Sequence, residues 1–242
     1  MEIIAHRGAS YAAPENTLAA ARLAWAENAD AIEFDVRLTA DDQLAVIHDE
    51  TTKRYSAVDL SVRQTTMADL QRLEVGRWKD AKYAGEKIPS LDEMLACVPA
   101  GKRVFIEVKG GPEAIPALQR CFARSRVKPR QVVVIAFDFS TALAAKQTLP
   151  KHAVAWILDY DSVARRLPFN EIIGRCREAG LNGLDLKADW PLDATGVQRI
   201  HAAGLKLYVW TVDDPLVARR WRDVGVDGIT TNRPGWLREQ LG

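Results

Sequence analysis

The chain has 242 residues, enough for one large domain or two small ones. Its 33 Lys and Arg balance 32 Asp and Glu, and a net charge of +1 argues against nucleic-acid binding, which leaves a clear basic excess. With 48% hydrophobic and 27% charged residues the composition is that of a soluble globular protein, and no apolar run approaches the roughly 18 residues of a membrane span. The opening Met1-Glu2-Ile3-Ile4-Ala5-His6-Arg7 has neither a basic start nor a long apolar run, which predicts no signal peptide. Cys97, Cys121 and Cys176 are odd in number, far apart and form no C-x-x-C pair, so they fit small buried hydrophobes in a reducing compartment. The expectation is a cytoplasmic protein with no nucleic-acid partner and no stable membrane anchor. A homo-oligomer is left open.

Strand-like runs alternate with helical stretches along the chain. Strands are predicted at Glu2–Ala5, Ala31–Val36, Val104–Val108, Val132–Ala136, Ala153–Leu158, Leu181–Leu186, Lys206–Trp210 and Gly228–Thr230. Amphipathic stretches of helical period lie between most of them, among them Ala114–Ala123, Thr141–Gln147, Ala194–Ala203 and Pro215–Val224. Gly180, Gly204 and Gly225 stand where helices should stop before the next strand. Alternation on this scale predicts an α/β fold of one domain over 1–242, a (β/α)8 barrel. A dinucleotide-binding sheet would need G-x-G-x-x-G after the first strand, and Gly8-Ala9-Ser10-Tyr11-Ala12-Ala13 fails that pattern.

One stretch breaks the alternation. A second strand, Leu44–His48, follows Ala31–Val36 after only a short polar turn, Thr39-Ala40-Asp41-Asp42, so the two should form an antiparallel hairpin. If Leu38 pairs with Gln43, His48 falls opposite Glu33. From Asp49 to about Lys87 the sequence is polar and only partly helical, at Met67–Leu73, which predicts a small insertion over one end of the barrel.

The chemistry-bearing residues crowd the C-terminal ends of the early strands, where barrel enzymes keep their active sites. Strand one ends in His6-Arg7-Gly8. Glu33 and Asp35, at i, i+2, share one strand face, and Glu107 and Lys109 repeat the spacing on the next parallel strand. Three carboxylates on one interior face cannot all stay ionised without a compensating charge, which a hard divalent cation would supply. His6 and His48 are suited to proton transfer near neutral pH, and Arg7 and Lys109 to phosphate oxygens. Together these point to phosphate-ester chemistry.

His6-Arg7-Gly8, Pro14-Glu15-Asn16-Thr17, Glu33-Phe34-Asp35-Val36, His48-Asp49, Pro89-Ser90-Leu91-Asp92-Glu93, Ile106-Glu107-Val108-Lys109 and Trp210-Thr211-Val212 resemble, in order, the motifs of the glycerophosphodiester phosphodiesterase family. The resemblance runs from the first strand to Thr231-Asn232. It implies a TIM barrel with a small insertion, one Mg²⁺ or Ca²⁺ ion, and hydrolysis of glycerophosphodiesters to sn-glycerol 3-phosphate and an alcohol, a step of glycerol and lipid metabolism. By this resemblance Glu33, Asp35 and Glu107 match metal ligands, His6 and His48 the acid–base pair, and Arg7 and Lys109 the phosphate contacts. It also suggests attack by the glycerol 2-hydroxyl through a cyclic 1,2-phosphate. Two departures, Ala136-Phe137 in place of Ser-Phe and Lys53-Arg54-Tyr55-Ser56 in place of Gly-rich text, bear on substrate preference.

Plainer readings stand beside these. His152 and His201 lie away from the carboxylates and fit structural histidines. Asn16-Thr17 is first a helix N-cap for Leu18–Trp25. Trp210 fits either barrel core or an aromatic wall for the glycerol carbons of a substrate. Arg219-Arg220-Trp221-Arg222 fits an exposed helix side, and Asp185-Leu186-Lys187 a supporting charge pair. Two rival functions differ in what they require. A phospholipase D-like hydrolase of lysophospholipids would want an apolar rim on the mostly polar insertion. A non-catalytic phosphate-binding barrel would have lost a ligand or a histidine.

Overall fold

In the computed structural model, which describes residues 1–163 and 167–242, the short apolar runs form nine strands in one sheet. They are β1 (Glu2–His6), β2 (Ala31–Leu38), β3 (Leu44–Val46), β4 (Arg103–Val108), β5 (Val132–Ala136), β6 (Ala153–Leu158), β7 (Gly183–Lys187), β8 (Lys206–Trp210) and β9 (Gly228–Thr231). All but β3 run parallel, and β1 pairs with β2 on one side and β9 on the other, so the eight close into a barrel. The helices are α1 (Leu18–Ala26), α2 (Met67–Leu70), α3 (Leu91–Ala96), α4 (Ile115–Arg124), α5 (Phe139–Thr148), α6 (Tyr160–Val163), α7 (Phe169–Glu178), α8 (Ala194–Ala202), α9 (Pro215–Val224) and α10 (Pro234–Leu241). This is the (β/α)8 architecture that the alternation of runs predicts.

Burial on both faces explains why the strand sequences are nearly continuous in Val and Ile. Every residue of β5, Val-Val-Val-Ile-Ala, is buried. One set of alternating side chains fills the barrel itself: Ile4, Ala31, Phe105, Val133, Ile135, Ala155, Ile157 and Tyr208. Phe105 and Tyr208 meet edge to face at 4.8 Å between ring centroids. The other set, including Phe34, Val36, Ile106 and Leu184, packs outward against the helices. Two residues beyond Ala31, Phe105 and Ile4, the inward positions hold Glu33, Glu107 and His6. The pleat thus turns an apolar floor into a polar mouth.

Side-chain caps and glycines end the helices as the sequence predicts. Thr17 caps α1 by accepting the Ala20 N–H at 3.2 Å, and Gly180, Gly204 and Gly225 take φ of +65°, +79° and +95° after α7, α8 and α9. Trp221 is fully buried while Arg220 and Arg222 on the same helix are exposed. His201 pairs with Asp227 at 2.9 Å, and His152 stacks on Phe122 at 4.7 Å.

The hairpin departs from its expected register by one residue. Leu38 pairs with Leu44, Arg37 with Ala45 and Val36 with Val46. The Thr39 N–H donates to Gln43 O at 2.9 Å, so Gln43 belongs opposite Thr39 and the turn is the three residues 40–42, with Asp42 at φ +53°. A three-residue turn ending in a left-handed residue is a preferred hairpin closure. β3 then stops at Val46, and His48 is not a paired strand residue facing Glu33.

From Asp49 to Lys87 the chain makes an Asn- and Gly-poor run of turns, a Thr51–Ser61 bridge and α2. The expected helix Met67–Leu73 keeps its helical form only to Leu70; beyond it Arg72 N–H bonds Asp69 O at 3.2 Å and Leu73 N–H bonds Leu70 O at 3.1 Å, the tighter i to i+3 pattern. Tyr55, Val62, Met67, Leu70, Val75 and Ile88 pack with Ala45 and Ile47 of the hairpin in a small core of their own. Lys79 Nζ donates to Ser10 O at 2.8 Å and Tyr83 OH to Ala12 O at 2.9 Å, which ties the segment to the loop after β1.

Candidate active site

Glu33, Asp35 and Glu107 each offer an oxygen within 4.8 Å of the others, and they are 3%, 0% and 8% exposed. The registers put them there: Glu107 lies beside Asp35 on adjacent parallel strands, and His6 beside Glu33. Arg7, at φ +55°, turns its backbone N–H onto Glu33 Oε2 at 3.0 Å while its Nε sits 3.1 Å from Asp35 Oδ2. Left-handed backbone of this kind in a non-glycine residue costs about 1–2 kcal/mol, sustained here by those contacts. Gly8, at φ +82°, follows; a Cβ on it would lie 2.6 Å from the Ala20 carbonyl carbon, so α1 packs against bare backbone.

The charges are partly compensated within the protein. Lys109 Nζ lies 2.6 Å from Glu107 Oε1 and 3.3 Å from Asp35 Oδ1. Asn16 donates from Nδ2 to Asp35 Oδ2 at 2.8 Å and accepts the Asp35 N–H at 3.2 Å. Burial alone would raise the Asp35 carboxyl, but Arg7 and Lys109 outweigh it and hold it at about 2. Burial, reinforced by Asp35, raises Glu107 to about 7 despite Lys109, and raises Glu33 well above its usual range. Burial would also lower the Lys109 ammonium, yet Asp35 and Glu107 raise it.

These residues fit a divalent cation. Glu33 Oε1 is buried with no hydrogen-bond partner, and Asp35 Oδ1 and Glu107 Oε1 meet the Lys109 charge without hydrogen-bond alignment. Three buried carboxylates, each with an oxygen within 4.8 Å of the others, are the donor set of a hard cation, whose charge would favour their ionised forms. A second acidic trio, Asp159, Asp161 and Asp189, is largely exposed, and Lys187 already pairs with Asp159 at 3.4 Å and Asp189 at 3.1 Å.

Both histidines come to this cluster. His6 Nδ1 lies 2.7 Å from Asn232 Oδ1, and burial together with Arg7 lowers the ring to about 4. His48 Nδ1 lies 2.6 Å from Asp49 Oδ1, and burial lowers that ring also, against the pull of Asp35 and Asp49. The Asp35 charge acts on both rings. Although the expected strand register is off by one, His48 still reaches the mouth because β3 has ended and alternation no longer decides its direction. Arg37 Nε holds its carbonyl at 2.7 Å. Trp210 is half-buried, donates from Nε1 to Asp185 O at 3.2 Å and meets Phe137 edge to face at 5.4 Å. Every residue singled out for this site in the sequence therefore lies at one end of the barrel.

The supporting roles of Asn16 and Arg54 were not legible as such, whereas Asp185 was expected to support the site. Asn16, expected first as a helix cap, is a buried clamp on Asp35, and Thr17 does the capping. Arg54 bonds Asp49 at 2.8 and 3.0 Å and Glu15 at 2.9 and 3.0 Å, contacts the Tyr55 hydroxyl, and so links the 49–87 segment to the partner of Arg7. Asp185, 2% exposed, lines a small pocket with His6, Glu33, Glu107, Ile157 and Trp210. Its carboxyl is pushed well above the usual range by burial and then by Glu107.

The model of the glycerophosphoryl diester phosphodiesterase family matches residues 6–236. YhdW of Bacillus subtilis is 33% identical over 98% of this chain and 96% of that protein. The glycerophosphodiester phosphodiesterase of Caldanaerobacter subterraneus is 31% identical over 97% of this chain and 95% of its own. Among solved structures, an Oleispira antarctica phosphodiesterase in complex with the product sn-glycerol-3-phosphate superposes with a TM-score of 0.89 at 26% identity, covering 100% of this chain and 96% of that one. The match takes in the carboxylate cluster, both clustered histidines and Asn232 behind His6, and the chain belongs to the glycerophosphoryl diester phosphodiesterase family.

Proposed function

We propose that the protein hydrolyses small glycerophosphodiesters to sn-glycerol 3-phosphate and an alcohol, with Glu33, Asp35 and Glu107 holding one divalent cation, Mg²⁺ or Ca²⁺. The observation that carries this reading is the set of three buried carboxylates within 4.8 Å of one another, flanked by two histidines whose Nδ1 atoms are already engaged. When bound, the cation supplies charge for the carboxylates and polarises the phosphoryl oxygens. The Oleispira complex with sn-glycerol-3-phosphate supports the same substrate class here.

The chain's own residues divide the remaining work. With Nδ1 of His6 on Asn232 and Nδ1 of His48 on Asp49, each ring keeps Nε2 for proton transfer, one taking a proton and the other giving one. Arg7 and Lys109 supply fixed positive charge for phosphate oxygens, and Trp210 an apolar wall for the glycerol carbons. The attacking group is the substrate's own 2-hydroxyl. It loses its proton to one histidine as its oxygen bonds to phosphorus, and the alcohol leaves with a proton from the other. Water then opens the cyclic 1,2-phosphate. A neighbouring hydroxyl in the same molecule has a large effective molarity. Ser10, the nearest serine to His6 in sequence, donates its hydroxyl to Asn232 Oδ1 at 2.8 Å and is not activated by a base. Residues 1–242 form one domain in this reading, with 49–87 an insertion. No helix among the described residues is long and apolar enough to cross a membrane.

The test is release of glycerol 3-phosphate from glycerophosphocholine, glycerophosphoethanolamine and glycerophosphoglycerol, with and without EDTA. Activity that chelation abolishes and Mg²⁺ or Ca²⁺ restores is the expected result; full turnover after exhaustive demetallation refutes it. The 2-deoxy analogue of glycerophosphocholine should bind and turn over very slowly, and an unchanged kcat refutes the cyclic route.

A further inference from the structure

A chain of hydrogen bonds behind His6 determines which of its nitrogens carries the proton. His6 Nδ1 lies 2.7 Å from Asn232 Oδ1, and the Ser10 hydroxyl donates to the same oxygen at 2.8 Å. On its other side Asn232 donates from Nδ2 to Asp213 Oδ2 at 2.6 Å. Asp213 is itself fixed, because its Oδ1 accepts the Asn232 backbone N–H at 2.8 Å and the Thr231 hydroxyl at 2.8 Å. A carboxylate oxygen accepts hydrogen bonds. The amide atom facing Asp213 must therefore be the NH₂ group, and the atom facing His6 must be the oxygen. With the amide turned over, two oxygens would oppose lone pairs at the same 2.6 Å, and Ser10 and His6 would face donors instead of an acceptor. A carbonyl oxygen cannot donate, so the neutral His6 ring carries its hydrogen on Nδ1 and its lone pair on Nε2.

We propose that Asp213 is a positioning residue that acts through the Asn232 amide to lock His6 in its Nδ1–H tautomer, so that Nε2 enters the reaction as the proton acceptor. The three residues come from distant parts of the chain: His6 ends β1, Asp213 follows β8 and Asn232 follows β9. In the first half-reaction the proton of the 2-hydroxyl passes to His6 Nε2 as the P–O bond forms. Asn232 Oδ1 keeps its hydrogen bond from Nδ1 while the ring is cationic, so no group has to turn during the step. The kinetic consequence rests on the phosphodiesterase reading, whereas the tautomer does not.

Two arms test this. In Mg²⁺ buffer above neutral pH, the ¹⁵N-histidine spectrum of the wild-type protein should show a pyridine-type Nε2 and a pyrrole-type Nδ1 for His6, assigned by loss of its signals in His6→Gln. Asp213→Asn leaves the amide of Asn232 free to turn, so both tautomers should appear. Its kcat on glycerophosphocholine should fall about 10- to 100-fold with KM within about threefold. The reciprocal double variant, Asp213→Asn with Asn232→Asp, restores a donor to the central group and an acceptor to His6, and should recover kcat to within about tenfold of the parent. A pyrrole-type Nε2 in the wild type overturns the proposal, as does a folded Asp213→Asn enzyme with parental kcat and one tautomer. A wild-type protein inactive on every glycerophosphodiester refutes the phosphodiesterase reading instead, and the spectrum still decides the tautomer.

Discussion

Glu107→Gln should make the cation-free protein more stable above neutral pH and the cation-loaded protein less so. Burial and Asp35 raise the Glu107 carboxyl from 4.5 to about 7. Because its folded pKa lies above its unfolded one, the folded protein binds the extra proton, and stability falls as pH rises from about 4.5 through about 7. At roughly 1.4 kcal/mol per pKa unit, the ionised side chain costs about 3 kcal/mol at pH 8. Gln removes that cost but also deprives Lys109 of one partner, leaving Asp35 at 3.3 Å. We expect a net gain of about 2 kcal/mol, or about 4–8 °C in Tm for a chain of this size. His6 titrates in the opposite sense: lowered to about 4, it contributes stability that grows as pH rises from 4 toward 6.5. The parent curve alone therefore mixes slopes of opposite sign, and the parent-minus-variant difference reports Glu107 together with the relief its loss gives Glu33 and Asp185. The assay is thermal melting from pH 4.5 to 8 in EDTA, repeated in excess Mg²⁺. In EDTA the curves should meet near pH 4.5 and separate upward; in Mg²⁺ the parent should be the more stable above pH 7. Parallel curves in both buffers would refute the argument that burial holds this carboxyl above its usual range.

His6→Gln and His48→Gln should each lower kcat by about 100-fold or more, measured by glycerol 3-phosphate release, while leaving Mg²⁺-dependent stabilisation intact. Retention of parental kcat by either variant would remove that histidine from proton transfer. Asn16→Ala strips Asp35 of two hydrogen bonds and should destabilise the protein by about 2 kcal/mol in denaturant titration, with a weaker cation response. Gly8→Ala forces a Cβ to within 2.6 Å of Ala20 at a left-handed φ of +82° and should cost about 3 kcal/mol or more; a melting temperature unchanged from the parent would show that α1 can move aside.

The barrel was legible because its strands are buried on both faces, so their Val and Ile runs stand out, and because left-handed glycines close three of the helices. β5, β6 and β8 have the bounds expected from the sequence. The hairpin register was not legible. Residues 39–43 are all compatible with a turn, and the choice between two closures was made by the Thr39 N–H to Gln43 O bond and the left-handed Asp42, neither of which leaves a hydrophobic signature. Asn16 illustrates a local signal hiding a distant one. The pair Asn16-Thr17 before a helix predicts a cap, and Thr17 takes that role, which frees Asn16 for Asp35, 19 residues away. His6 and Asn232 are 226 residues apart, and no spacing rule reaches that far.

The same i, i+2 pattern of carboxylate and lysine had different outcomes on β4 and β7, and the reason lies in barrel order. On β4, Glu107 lies in register beside Asp35 of β2, so Lys109 finds two anions and pairs with both. On β7, Asp185 lies beside Ile157 of β6 and Tyr208 of β8, neither of them an anion. Lys187 turns instead to Asp159 and Asp189, and Asp185 is left with a buried oxygen that has no hydrogen-bond partner. The strand pattern decides which face a carboxylate occupies; burial and the charges that reach it decide whether it keeps its charge, as Arg7 and Lys109 do for Asp35 while burial raises Glu107 and Asp185. Glu33, Asp35 and Glu107 form a cluster because β4 pairs directly with β2, while β3 folds back as a hairpin on the C-terminal end of β2, beyond its pairing with β1.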